Sequence, residues 1–252
     1  MRRAGCFEAY RLGALPGRVW NVDITVVPIA GGLSCPVAPF SWLTLWPFCW
    51  HVCWHVAAIV DHFSRKVVGF EVFSKAPSAE QICQLLNVTV ACEGRAPKYI
   101  ISDQGSQFQQ EYRDCCESHG IQPRFGAIGK SGSIALIERF WQTLKSEGLR
   151  KILVPYSIDQ MREEVRVFCN WYNGVRPHNE LGGATPDEVY FGVKPARDRP
   201  RHEPRKRFPL KTKPSGRAPK AVRGKRGVKL ELVVSHFEGR QHLPVIELER
   251  AA

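Results

Sequence analysis

No aspartate, glutamate, lysine or arginine occurs between Asp23 and Asp61, leaving a charge-free run of 37 residues from Ile24 to Val60. Such a run belongs either in a bilayer or inside a folded domain, and its helix breakers decide between the two. A membrane span needs ~20 mainly apolar residues that stay helical. This run is interrupted by Pro28, Gly31, Gly32, Pro36, Pro39 and Pro47, so no long helix forms and no membrane is expected. From Cys49 onward Trp50, Val52, Trp54 and Val56 share one parity, and Cys49, His51, Cys53 and His55 share the other. That is the period of a strand. After the turn-like "DHFSRK", the β-rich run Val67 to Phe73 follows at hairpin distance. The sequence therefore predicts a buried β-hairpin, with the Pro- and Trp-rich stretch before it packed on the sheet as an insertion.

The remaining elements alternate. "WNVDITVVPI", from Trp20, reads as a strand containing Asp23. Ser78 is a plausible N-cap for a helix whose apolar stripe runs through Ile82, Leu85, Leu86 and Val90 and stops near Gly94. "KYIISD" is a short strand ending at Asp103, a helix is expected over about 109–118 with Gly120 as its stop, and "IQPRF" is a further strand. The glycine-rich loop from Gly126 to Ser133 precedes a helix expected from about Ile134 to Gly148. Strands followed by alternating strands and helices give an α/β fold with a mixed sheet flanked by helices. In such sheets sites form at the carboxyl ends of strands, where Asp103 stands. On the last helix, Ile137, Phe140, Trp141 and Leu144 share an apolar arc, and Glu138, Gln142 and Lys145 lie on its flank.

The formal net charge of +12 is concentrated. Residues 197–229 hold 14 Lys or Arg against Asp198 and Glu203, which accounts for the whole excess. This Pro-rich stretch has the composition of an extended linker. Its cations, Arg205, Lys206 and Arg207 foremost, suit a strap that tracks nucleic-acid phosphates; a solvated basic linker is the plainer alternative. The organisation expected is a short N-terminal segment (1–19), a core (20–193), the basic linker (194–229) and a small C-terminal β-hairpin (230–252) around Glu238-Gly239-Arg240. A lone hairpin is marginal and should dock on the core or on a partner. The nine cysteines include no C-x-x-C pair, which fits reduced thiols of a cytosolic protein. Cys49, His51, Cys53 and His55 would stretch too far along a strand to close a zinc tetrahedron. "MRRAGCFEAYRLGALP" lacks the apolar run of a signal peptide.

Four motifs in order, "WNVDIT", "ISDQGSQF", "GAIGKSGSIALIERFWQTLK" and "FCNWYNGVRPHNELGGATPDEVYFG", resemble the catalytic core of bacterial insertion-sequence transposases related to retroviral integrases. The resemblance runs from Trp20 to Gly192 and implies a ribonuclease-H-like fold. It also implies a catalytic, metal-binding triad of Asp23, Asp103 and Glu138 holding two Mg²⁺ ions, with Mn²⁺ as a substitute. Such ions, ~3.5–4 Å apart, activate an attacking oxygen and stabilise the leaving one in phosphodiester cleavage and strand transfer. Mg²⁺ prefers hard oxygen ligands, and without it three converging carboxylates repel one another and raise their own pKa values. By the same resemblance Lys145 contacts a DNA phosphate, Lys130 lies in the loop beside the site, and Arg176, Pro177 and His178 are structural or DNA-proximal. The implied partners are DNA, further copies of the chain assembled on DNA ends, and a separate helix-turn-helix protein for end recognition; the implied location is the bacterial cytoplasm, at the nucleoid. Two departures stand out. Only 34 residues separate Asp103 from Glu138, one fewer than usual, and 22 residues precede Asp23 where relatives carry a helical DNA-binding region. Two readings follow: a cutting and joining enzyme, or a truncated core that binds DNA without cutting. Integrase relatives often carry a C-terminal β module that binds DNA, and the hairpin here is shorter than a complete one.

Overall fold

The computed structural model describes residues 15–29, 53–126, 135–193 and 230–250. Most of the insertion, Lys130 and the trio Arg205, Lys206 and Arg207 lie outside them. Five strands, β1 (Val19–Pro28), β2 (Cys53–Asp61), β3 (Val67–Phe73), β4 (Tyr99–Ser102) and β5 (Gln122–Phe125), form one sheet in the order β3-β2-β1-β4-β5. β1 pairs antiparallel with β2 and parallel with β4, and β4 pairs parallel with β5. The sheet is therefore mixed, as the element order predicts.

The charge-free run explains why β1 and β2 sit side by side within the sheet. A strand covered on both faces cannot alternate polar and apolar residues. Trp54, Val56, Ala58 and Val60 face one core, with Ile137, Phe140, Trp141 and Phe168. Ala57 and Ile59 face the other, with Trp20, Val22, Ile82, Leu86 and Tyr112. The first charge after the run, Asp61, is itself buried. Its carboxylate accepts from the Gly17 amide (2.6 Å) and from the Ser64 amide and hydroxyl (2.8 and 2.7 Å), which closes the β2–β3 turn.

Helix α1 (Ala79–Glu93) begins at Ser78 with a reciprocal capping box to Gln81 and ends at Gly94 in the left-handed region, matching both expected ends. It approaches β3 closely at Gly69, where a Cβ would meet Thr89 Oγ1. Helix α2 (Gln110–Ser118) and helix α3 (Ala135–Thr143) follow. The expected helix to Gly148 is not regular throughout: Leu144–Gly148 widens into a π turn. Helices α4 (Ile158–Gly174) and α5 (Pro186–Phe191) complete the core.

The terminal hairpin, β6 (Leu230–His236) and β7 (Pro244–Arg250), pairs antiparallel around the predicted turn. It docks on α4. Leu243 enters the same core as Phe168 and Trp171, Trp171 Nε1 donates to the Pro244 carbonyl at 3.1 Å, and Arg240 pairs with Glu164 at 2.9 Å.

Candidate active site

The parallel ladder of β1 and β4 aligns Val19 with Tyr99, Trp20 with Ile100 and Asn21 with Ile101. Two residues beyond the last pair stand Asp23 and Asp103. Strand alternation puts each on the face of its predecessor, and so on a common face. A small cleft lined by Asp23, Ser102, Asp103 and Ile137 opens there. Glu138, next to Ile137, is exposed in the first turn of α3.

Asp23 is held from one side. Its Oδ2 accepts from Trp141 Nε1 at 2.8 Å, a contact that crosses from the sheet to α3. Burial pushes the Asp23 carboxyl above the usual range; hydrogen bonds from the Ile24 backbone and Trp141 oppose this, while repulsion from Asp103 and Glu138 adds to it. All three carboxylates thus share one electrostatic neighbourhood. Asp103 Oδ1 accepts from the Gly105 amide at 3.0 Å, which fixes the turn leaving β4. Lys145, on the π turn, is half-buried. Burial, and then Arg150, lower its pKa, and the opposing pull of Asp23 places the ammonium near the same cleft.

The donor set suits a hard dication: carboxylate oxygens, mutually repelling, with a raised proton affinity at Asp23 that a positive ion would relieve. Among the described residues no three His, Cys, Asp or Glu side chains are drawn close enough to hold a metal ion. Three like charges have no electrostatic reason to close on one another without a cation between them. Of the Cys/His alternation, Cys49 and His51 lie outside the described residues.

Arg176 of the fourth motif is buried to 2% exposure and grips Glu147 with two hydrogen bonds, 2.8 and 3.0 Å long. His178 meets the Tyr172 ring edge-on at 4.6 Å. Arg176 thus clamps the π turn that follows the Glu138 helix. Trp141 and Glu147 were not foreseen as site-supporting residues. Trp141 lies on the apolar arc and reads as core; only its indole N–H, a donor that needs a partner when buried, signals the second role.

A model described as an integrase core domain matches residues 13–131, and a second of the same description matches 119–186. An uncharacterized Caenorhabditis elegans protein, K02A2.6, is 37% identical over 99 residues, covering 39% of this chain and 8% of that protein. The transposase for insertion sequence element IS904 of Lactococcus lactis is 25% identical over 175 residues, covering 69% of this chain and 61% of the transposase. The chain thus spans less than two thirds of these relatives. Among solved structures, the simian T-cell lymphotropic virus intasome in complex with PP2A regulatory subunit B56 gamma superposes with a TM-score of 0.52 at 18% identity, covering 94% of this chain and 69% of that one.

Proposed function

The chain belongs to the integrase core family and has its ribonuclease-H-like fold, and on that premise we propose that it is the catalytic core of an insertion-sequence transposase. In this reading it cleaves phosphodiester bonds in DNA and joins the ends to new sites, with Asp23, Asp103 and Glu138 as its catalytic carboxylates. The observation that carries the reading is geometric: the β1–β4 register sets Asp23 and Asp103 beyond the carboxyl ends of two parallel strands, and Trp141, three residues after Glu138 on α3, donates to Asp23.

The three carboxylates would hold two Mg²⁺ ions, or Mn²⁺ in their place, and the ions would polarise the reacting oxygens when bound. The protein's own groups do the positioning. Trp141 fixes one Asp23 oxygen, and with the Ile24 backbone it favours the ionised form. The Gly105 amide orients Asp103. Glu138 stands in solvent on α3 and swings in without breaking a hydrogen bond or ion pair among the described residues. Lys145 offers a point charge to the phosphate beside the scissile bond. Water attacks first, and the broken P–O bond releases a DNA 3′-hydroxyl; that hydroxyl then attacks a second phosphodiester, joining to its phosphorus as the P–O bond to the attacked strand's 3′-oxygen breaks and that oxygen leaves as a new 3′-hydroxyl. The basic stretch 194–229, with Arg205, Lys206 and Arg207, and Lys130 in the loop before α3 would hold flanking DNA. Assembly of several copies on DNA ends is supported by the likeness to an intasome chain. A separate end-recognition protein, and work at the nucleoid in the bacterial cytoplasm, complete the proposal.

The test is nicking of supercoiled plasmid by the purified chain in Mg²⁺ or Mn²⁺, beside Asp103→Asn and Glu138→Gln. The expected result is metal-dependent nicking by the wild type and DNA binding without nicking by both variants. Equal DNA binding with no cutting by any of the three would leave a DNA-binding core and overturn the assignment.

A further inference from the structure

A second cavity lies at the opposite end of the sheet from Asp103. It is formed where the chain enters the three parallel strands: Gly17 and Arg18 before β1, Arg95 to Lys98 before β4, and His119 and Gly120 before β5. It measures about 340 Å³, and its wall carries three cations, Arg18, Arg95 and Lys98. None of them forms an ion pair with a carboxylate among the described residues. The nearest acid in sequence, Glu93, is engaged elsewhere, by Lys66 Nζ at 3.5 Å and the Tyr190 hydroxyl at 2.6 Å.

The cavity is built rather than incidental. The Arg95 guanidinium lies over the Tyr190 ring, 4.7 Å from its centroid, and against Gly17, where a Cβ would collide with it. Gly17 has φ +73, so both its conformation and its missing side chain make room for that guanidinium. The Lys98 ammonium sits 5.4 Å from the Tyr99 ring centroid. The amides of Lys98 and Tyr99 both donate to the Arg18 carbonyl, which ties the loop before β1 to the loop before β4. His119 forms the third side, its Nε2 2.6 Å from Asn87 Oδ1.

We infer that this cavity is a phosphate-binding site that grips the DNA backbone away from the reacting bond. Guanidinium and ammonium groups without a carboxylate partner among the described residues, Arg95 and Lys98 of them held over aromatic rings at a concave opening, match phosphate oxygens in charge and in hydrogen-bond chemistry. Catalysis belongs at the carboxyl ends of the strands, so an anion site at their amino ends positions the duplex and does not react with it. Lys98 precedes Asp103 by five residues, so at ~3.3 Å per residue a phosphate held here lies roughly 17 Å from the carboxylates, about five base-pair rises of a duplex. The inference rests on DNA being the substrate.

The experiment compares the full-length wild type, Arg18→Gln/Lys98→Gln, and the charge-keeping Arg18→Lys/Lys98→Arg. Duplex DNA affinity is measured against salt concentration, and amide shifts of Gly17 and Gly120 are followed by NMR with duplex DNA or with inorganic phosphate alone. In the neutralised variant the slope of log K against log salt should fall by about 1 and affinity by about five- to tenfold. The charge-keeping variant should match the wild type, and both should keep the wild-type melting temperature. Nicking at saturating DNA should persist in both. An unchanged salt slope, or amide shifts with inorganic phosphate but none with duplex DNA, overturns the inference. A lost slope with no nicking even by the wild type removes the catalytic reading and leaves this site standing.

Discussion

Asp23 is the residue on which the proposed chemistry turns, because its environment works against the charge that chemistry needs. Burial, followed in smaller measure by Asp103 and Glu138, raises its pKa, and the Trp141 N–H pulls it back. Trp141→Phe keeps the ring packing and deletes the donor, so the Asp23 pKa should rise further. The acid limb of the pH–rate profile for Mg²⁺-dependent nicking should then move to higher pH, with activity lost on the acid side and recovered as pH rises. A loss equal at every pH would make Trp141 a packing residue only. The same shift has a stability consequence with a definite sign. A carboxyl whose folded pKa is raised favours folding most when it is protonated, so its ionisation costs stability as pH rises through the folded value. Asp23→Asn should therefore raise the melting temperature at pH 8 and leave it nearly unchanged below pH 4, by ~2–4 °C for each kcal/mol of penalty removed. The proposed triad comes from the motifs, whereas the indole donor to Asp23 was not legible in them: an apolar arc announces burial and is silent about which buried atom is polar.

Elements were easier to read than their junctions. Ser78 and Gly94 marked both ends of α1, and the alternation before Asp61 marked β2, because caps and periodicity are local properties. The π turn at Leu144–Gly148 is not local. It sits where Arg176, from 29 residues downstream, reaches back to Glu147 and where Gly148 lies against the Phe168 ring. Widened turns of this kind recur at functional sites, and here the turn carries Lys145. Removing one member of a buried bidentate pair leaves the other charge stranded. Arg176→Leu should therefore cost about 3–5 kcal/mol in urea unfolding. Arg176→Leu/Glu147→Leu should recover most of that loss, since a buried pair is often replaceable by apolar groups of similar volume. If the double variant is as unstable as the single, the clamp acts through geometry that leucines cannot reproduce, and nicking should then fall in parallel with stability.

At the scale of the whole molecule the question is whether the terminal hairpin is a separate module or part of the core. Sequence showed two strands and a turn, and the marginal stability of an isolated hairpin required a docking surface; it could not show which surface, since that depends on side chains 70 or more residues apart. The structure answers with Leu243, only 1% exposed, seated in the core that also buries Trp54 on β2 and Phe140 and Trp141 on α3. The contact is continuous with the packing under Glu138, so hairpin and α3 share one apolar interior. Two ion pairs at its rim, Arg240–Glu164 and Arg166–Glu238, are partly exposed and should contribute ~0–1 kcal/mol each, so Leu243 is the anchor. Leu243→Ala should destabilise the whole chain by about 2–4 kcal/mol in a single unfolding transition. Glu164→Gln, which loosens only the rim, should cost under ~1 kcal/mol. Two separate transitions in Leu243→Ala would instead mean that the hairpin folds and detaches as an independent unit. Nicking by that variant would then match the wild type, because α3 would no longer feel the loss.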